Sequence, residues 1–366
     1  MKRRLFIKYI FSCGASLICG DFITSYAQAS NDIYSTANKN ILKDIKIIDA
    51  HSHPDQFYSK FPYRIDKSST LKSIKALRMN ASSFDAVGDR VSRSRGNLSG
   101  SELEYTITQL KRVKKLEEDG DVKIVYKASD IPEKINQGMP TGAILGIEGG
   151  DCLQGDLKNL DYFHQFGVRK LSLVHYTINE LGDIMTSRPK HKGLTSFGRK
   201  TAERMENIGM VIDVTHAHPL MLKDIVEVTA KPIIASHAVP SPVSNPSDHK
   251  SKMVRRMRSW DGMEMVAKTG GVVCTLPLAY SFEQHRRETF QDWAREILKM
   301  KKRLGIEHVG LGTDGGGMLP RLIKGYSDVR DLTKLAVAMQ EVGLSRSDIA
   351  AYMGGNFFRV LRECIG

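Results

Sequence analysis

The sequence predicts an α/β chain closed as a (β/α)8 TIM-type barrel, and three observations carry that prediction. Eight short apolar runs recur along the chain, most of them separated by amphipathic stretches, as expected for strands that feed helices. Eight parallel strands are also what closes such a barrel. Histidines and acids collect at the ends of these runs, and a barrel gathers its functional groups at the carboxyl ends of its strands. An open doubly wound sheet is the competing architecture, but no glycine-rich phosphate loop follows the first run.

In chain order the runs are Ile45–Asp49, Ser83–Val87, Ala143–Glu148, Leu171–His175, Met210–His216, Pro232–His237, Gly271–Leu276 and His308–Asp314. Helical spacing between them is plainest at Leu103–Glu118 and Phe197–Gly209. Polar breaks at Gly88–Ser101, Asn179–Lys192 and Val239–Arg258 each follow a run, which assigns them to the functional face. None reads as an interdomain linker, so residues 30–366 are expected to form a single (β/α)8 domain.

A hydrophobic content of 41% with 26% charged residues suits a soluble globule with a large core. The net charge is +13, but the basic residues are scattered over helix-like faces without interleaved aromatics. That distribution argues against a nucleic-acid surface.

Residues 1–29 read as an export signal. Lys2, Arg3, Arg4 and Lys8 precede an apolar run from Tyr9 to Ile23, which Gly14, Gly20 and Asp21 interrupt. The run is too short and too broken for a membrane span. Ala27-Gln28-Ala29 supplies the small residues that a signal peptidase reads. Arg3-Arg4-Leu5-Phe6-Ile7-Lys8 resembles a bacterial twin-arginine signal, with an ordinary secretory signal as the alternative. The expected location is periplasmic or secreted, with no stable membrane span once the signal is removed. The cysteines left, Cys152, Cys274 and Cys364, are odd in number and widely spaced, which disfavours a disulfide framework.

The chemistry starts at Ile47-Ile-Asp-Ala-His-Ser-His-Pro-Asp55. In a strand, residues i and i+2 face the same side, so His51 and His53 reach one point, a candidate metal position. Pro54 then turns the chain out of the sheet. Five of the other seven runs end in Glu148, His175, His216, His237 and Asp314, so five of the 11 histidines fall at run ends. Each residue alone has an ordinary structural explanation, such as a satisfied core histidine or a capping carboxylate. Their joint recurrence argues for one constellation, and hence a metal-dependent hydrolase-like barrel.

Two divalent ions held together need a carboxylate bridge, and Glu148 is the acid placed to provide it. His51 and His53 would hold one ion, and His216 and His237 the other. A water between the ions would lose its proton near neutral pH and act as a bridging hydroxide. His175 is left to stabilise the developing oxyanion, and Asp314 to take a proton and deliver it to a leaving amine. His218 shares a face with His216 as a reserve ligand, while His308 starts its run at the barrel bottom and reads as structural.

At these residues the chain resembles the renal or membrane dipeptidases, the M19 metallopeptidases. The resemblance runs from about Ile47 to Cys364. It is carried by Leu145-Gly-Ile-Glu-Gly-Gly150, Gly193-Leu-Thr-Ser-Phe-Gly198, Ile212-Asp-Val-Thr-His216, Ser236-His237, Gly310-Leu-Gly-Thr-Asp314 and Gly354-Gly-Asn-Phe-Phe-Arg-Val-Leu361. It implies a barrel with two zinc ions that hydrolyses dipeptides, often with a D-residue on the C-terminal side. It gives His51 and Glu148 to one metal, and Glu148, His216 and His237 to the other. His175 matches the oxyanion-contacting histidine, and Asp314 the acid-base that also meets the substrate amine. An arginine after the sixth strand would clamp the substrate carboxylate. Arg255, Arg256 and Arg258 crowd that region, and Arg256 best fits the spacing back from Gly270-Gly271. The resemblance also implies a homodimer.

One departure stands out. The family opens on His-x-Asp, whereas this chain has His51-Ser52-His53, a neutral ligand in place of an anion. His-x-His also opens amidohydrolase barrels, which usually carry a carboxylated lysine at the end of strand four. Here that end holds His175, with Lys170 at the strand's start, which favours the dipeptidase layout. The leading expectation is therefore an exported metal-dependent dipeptidase. The alternatives are a related barrel hydrolysing a cyclic or lactam amide, and a periplasmic binding protein that lost catalysis.

Overall fold

The computed structural model describes residues 41–59, 70–89, 100–136, 138–282 and 285–366. The export-signal reading of residues 1–29 lies outside the described residues, as does most of the Gly88–Ser101 break. Residues 44–366 form one compact unit.

All eight apolar runs contain a strand. They are β1 (Ile48–Asp49), β2 (Ala81–Val87), β4 (Thr141–Glu148), β5 (Lys170–Ser172), β6 (Val211–Asp213), β7 (Ile234–Ala238), β8 (Val272–Thr275) and β11 (Val309–Leu311). The eight lie side by side in that order and every pair is parallel. Hydrogen bonds from Ala50 N to Leu311 O (3.0 Å) and from Asp314 N to His51 O (2.9 Å) close the ring between β1 and β11. The open-sheet alternative is thereby excluded.

Several strands stop short of the runs that contain them. β5 ends at Ser172 and β6 at Asp213, so His175 and His216 stand on the segments that leave the sheet at the barrel mouth. Among the described residues, three further strands lie outside the eight apolar runs. β3 (Val122–Ile124) pairs in parallel with the first half of β4, and its Lys123 is exposed between two buried residues. β9 (Tyr280–Phe282) and β10 (His285–Arg287) form a hairpin after β8.

Local chemistry explains where the covering helices begin and end. Ser101 caps helix Glu102–Glu118 and Glu104 returns a bond to the Ser101 backbone, a reciprocal capping box. Thr195 caps Ser196–Ile208, and that helix stops at Gly209, whose φ of 79° is left-handed and favours glycine. A second capping box, Thr289 with Asp292, starts Phe290–Leu304.

The bottom of the barrel is stoppered by the last helix, Asn356–Ile365. Its Phe357, Val360, Leu361 and Cys364 pack against Ile48, Ala81, Ile144, Val211, Ile234 and Val272 at the strand beginnings. This is the packing role of the Gly354–Leu361 motif. A Cβ at Gly354 would come 2.6 Å from Ile48 N, so glycine lets the turn rest on the β1 backbone. His308 lies at this end, with Nδ1 2.8 Å from Gly271 O, well away from the mouth.

Above this apolar floor the barrel interior is polar. Asp49, Asp85, Lys170, Ser172, Asp213, Ser236 and Thr275 are buried there. Cys152, Cys274 and Cys364 are buried and unpaired. Among the described residues no helix is long and apolar enough to cross a membrane.

Candidate metal centre and catalytic pocket

Four strand ends bring five imidazoles to one carboxylate. Glu148 Oε1 lies 2.9 Å from His216 Nε2, 3.4 Å from His237 Nε2 and 3.5 Å from His51 Nε2. Its Oε2 lies 3.4 Å from both His53 Nε2 and His175 Nε2. The candidate donors fall into three overlapping groups, each within 4.8 Å: His51-Glu148-His237, His51-His53-Asp314 and Glu148-His175-His216. The geometry therefore brings together all seven strand-end residues. It also puts Asp314 and His175 near ligating reach, beyond the proton-transfer and oxyanion parts expected of them.

Hydrogen bonding orients the rings. A backbone carbonyl only accepts, so His53 Nδ1, 2.6 Å from Asp85 O, carries a proton and its Nε2 offers a lone pair. Ser236 Oγ donates to Asp213 Oδ2 (2.5 Å) and so accepts from His237 Nδ1 at 3.0 Å. His51 Nδ1 faces Ser236 Oγ at 3.2 Å and the Asp85 carboxylate at 3.3 Å, both able to accept. The outward nitrogens then crowd one another: His51 Nε2 to His53 Nε2 is 3.2 Å, and so is His216 Nε2 to His237 Nε2. Lone pairs that converge like this around a carboxylate are stabilised by cations among them.

The charge balance points the same way. Burial, then the charges of Arg256 and His175, push His216 down to about 3, so its ring is neutral and able to ligate. Burial also drives His237 far below the ordinary histidine value. Burial alone would lower His53 too, but Glu148, Asp314 and Asp85 raise it to about 9. That corner of the site therefore demands positive charge. Burial would raise Glu148, yet His175, His51 and His216 hold its carboxyl well below the usual range. Neutral imidazoles converging on an ionised carboxylate are the donor chemistry that a divalent metal centre requires.

A cavity of about 230 Å³ opens beside the cluster, lined by His53, Glu148, His175, His216, His237, Arg256 and Asp314. His51 is fully buried beneath it. Asp314 holds a left-handed φ of 53°, and burial raises its carboxyl above the ordinary value. His175 Nδ1 lies 2.9 Å from the buried Asp89 carboxylate. Burial opposes a charge on His175, but Glu148 and Asp89 raise its pKa.

The three crowded arginines separate cleanly. Arg255 bonds Thr186 O and His249 O, and Arg258 is buried against Val214 O, Thr215 O and Ala217 O. Arg256 Nη2 instead reaches the cavity, 3.4 Å from His216 Nε2 and from His237 O. His218 is not a reserve ligand. β6 has already ended, so strand alternation no longer applies, and its Nδ1 accepts from Leu220 N at 3.2 Å as the cap of helix Pro219–Val228.

Buried partners that the run pattern does not mark surround these residues. Asp89 stands two residues beyond β2, a strand-end acid like those singled out. Asp85 interrupts an apolar run, which signals a buried polar contact, and Lys170 Nζ meets it 2.9 Å away inside the barrel. That ion pair holds the Lys170 side chain beneath the cluster, away from the ligating face. An apolar wall of Val239, Met253, Met257, Leu276, Leu278 and Leu319 lines the β7–β8 side of the cavity.

The comparisons with known proteins agree with this geometry. A family model described as Membrane dipeptidase (Peptidase family M19) matches residues 36–365. Dipeptidase tcpJ of Claviceps purpurea (strain 20.1) is 30% identical over 262 residues, covering 70% of this chain and 58% of its own. Dipeptidase 3 of Mus musculus is 29% identical over 238 residues, covering 63% of this chain and 46% of its own. The chain thus spans about half the length of the curated relatives it matches. Among solved structures, the probable dipeptidase PvdM from Pseudomonas aeruginosa has a TM-score of 0.74 at 17% identity, covering 90% of this chain and 97% of that one. A metallo peptidase from Rhodobacter sphaeroides, liganded with a phosphinate mimic of the dipeptide L-Ala-D-Ala, has a TM-score of 0.72 at 18% identity, covering 87% and 99%. At such identities these superpositions establish the barrel alone.

Proposed function

Because the chain belongs to the membrane dipeptidase family, peptidase family M19, we propose that it is a metal-dependent dipeptidase holding two divalent ions, zinc by family likeness. The observation that carries this reading is Glu148, with the Nε2 atoms of His51, His53, His216 and His237 all 2.9–3.5 Å from its two oxygens. His51, His53 and Glu148 would hold one ion, and Glu148, His216 and His237 the other. When bound, the ions would polarise the scissile carbonyl and acidify a water.

The chain's own groups divide the remaining work. Arg256 receives the dipeptide carboxylate, and its guanidinium fork suits a bidentate partner. Asp314 meets the substrate amine. Its raised pKa suits it to take the proton of the attacking water and pass it to the leaving nitrogen. Water adds to the carbonyl carbon, the C–N bond breaks, and two amino acids leave. His175, whose pKa Glu148 and Asp89 raise against the effect of burial, faces the oxyanion that develops. The wall beside Arg256 favours an apolar side chain on the substrate.

The test is release of free amino acids from L-Xaa-Gly and L-Xaa-D-Ala dipeptides by zinc-loaded protein, with and without chelator. Activity should vanish with chelator and fall at least about a thousandfold in Glu148→Gln. No release from any dipeptide would overturn the reading. His53, in place of the family aspartate, favours a second reading, hydrolysis of a cyclic or lactam amide by the same site. Adding such amides to the panel separates the two. We further propose export to the periplasm or beyond. The basic start and the Ala27-Gln28-Ala29 stretch support it, and a fusion to a reporter active only outside the cytoplasm tests it.

A further inference from the structure

We propose that Asp85, fixed by Lys170, is the positioning residue of the His51–His53 ion site and is dispensable to the other; the inference rests on the two-ion reading above. Asp85 serves both histidines of that site. Its backbone carbonyl accepts a hydrogen bond from His53 Nδ1 at 2.6 Å, and its carboxylate lies 3.3 Å from His51 Nδ1. Lys170 Nζ clamps the carboxylate at 2.9 and 3.0 Å and reaches Ala50 O at 2.5 Å, directly behind the ligand strand. It also approaches His51 Nδ1 at 3.4 Å.

Register makes this arrangement possible. Asp85, Gly146 and Lys170 are paired neighbours on β2, β4 and β5. A Cβ at Gly146 would overlap the Asp85 carboxylate and sit 2.9 Å from Lys170 Cε, so the middle strand must carry glycine for the two charges to meet. The other ion site has separate support, because Asp213 holds Ser236, which seats His237. Ser236 also reaches His51 at 3.2 Å, so it serves both sites. The Asp85 carboxylate is what distinguishes the first site. A carboxylate behind a ligating imidazole fixes ring orientation and raises ligand basicity. That support matters more here, where an imidazole stands in place of an anionic ligand at His53.

The experiment measures zinc stoichiometry and affinity of the full chain by equilibrium dialysis and elemental analysis. It compares wild type, Asp85→Asn and the charge-neutral pair Asp85→Asn with Lys170→Met. The double variant leaves no buried charge unpaired, so it guards against a single variant that fails to fold. The expected result is two ions in wild type, and one tight ion plus one weakened about 10–100-fold in the variants. Two ions bound with wild-type affinity by the variants would overturn the proposal while leaving the dipeptidase reading intact. Fewer than two ions in wild type would overturn the two-ion assignment itself, and this inference with it.

Discussion

Asp85 and Lys170 form a fully buried ion pair, 2.9 Å long, that spans from β2 to β5 across the single glycine of β4 that lies between them. Each charge loses its hydration inside the barrel and relies on the other for compensation. The pair is therefore a structural commitment as well as a support for the histidines above it.

Removing one partner should cost far more than removing both. Lys170→Met alone strands the Asp85 carboxylate and should lower unfolding free energy by about 3–5 kcal/mol. The pair Asp85→Asn with Lys170→Met should recover most of that loss. Chemical denaturation of metal-free protein measures both, and equal losses would contradict the coupling.

Gly146→Ala should destabilise although it adds one methyl group. The new Cβ overlaps the Asp85 carboxylate and crowds Lys170, so overpacking should cost about 1–3 kcal/mol or more. Thermal unfolding would reveal a midpoint several degrees below wild type. An unchanged midpoint would mean that the strands shift freely at this layer.

His175→Ala should lower kcat by about 100–1,000-fold with a smaller change in KM, as expected for a group that acts on developing charge. Asp89→Asn should lower kcat by about tenfold in the same pattern, because the ring keeps its place but loses its anionic partner. Steady-state kinetics on one dipeptide resolves the two. A rise in KM alone for either variant would contradict these roles.

The arginines should separate by phenotype. Arg256→Ala should cut kcat/KM by about 30–1,000-fold through lost carboxylate binding, with Arg256→Lys restoring only part. Arg255→Ala should leave kinetics near wild type. Arg258→Ala should lower stability, since its guanidinium bonds three buried carbonyls. Parallel kinetics and thermal melts distinguish the three outcomes.

Asp183 should make stability depend on pH. Burial would raise its carboxyl, but the amides of His191, Gly193 and Lys190 hold it below the ordinary aspartate value. A depressed carboxyl contributes stability that is present above its unfolded value and is lost as pH falls through the folded one. Asp183→Asn should therefore be about 1–3 kcal/mol less stable at pH 7. The gap should close below the ordinary aspartate value of 3.8. Denaturation across pH 3–7 reads it, and a gap constant with pH would refute it.

The reach of the sequence follows from how far each feature depends on distant partners. Strand-end residues such as His51, Glu148 and His237 were legible because a barrel forces them to one rim, whatever the loops do. Asp89 obeyed the same rule and was overlooked because its strand ends in a long polar break. Asp85 and Lys170 were not legible as a pair. They are 85 residues apart and meet only through strand order and register, which no local pattern reveals. His218 departs from its expected place for a related reason: strand alternation ends where β6 gives way to a helix cap. Arg256 needed the short helix Lys252–Arg255 to decide which of the arginines turns inward.

The stopper of Phe357, Val360 and Leu361 carries one last implication. Among the described residues the far end is sealed by packed hydrocarbon, and the cavity opens at the rim beside Tyr176 and Met318, which is 71% exposed. Under the proposed hydrolysis, both halves of a cleaved molecule depart along the path by which the whole one arrived. Turnover is then a queue at one door, and a slow-leaving fragment holds up the next arrival.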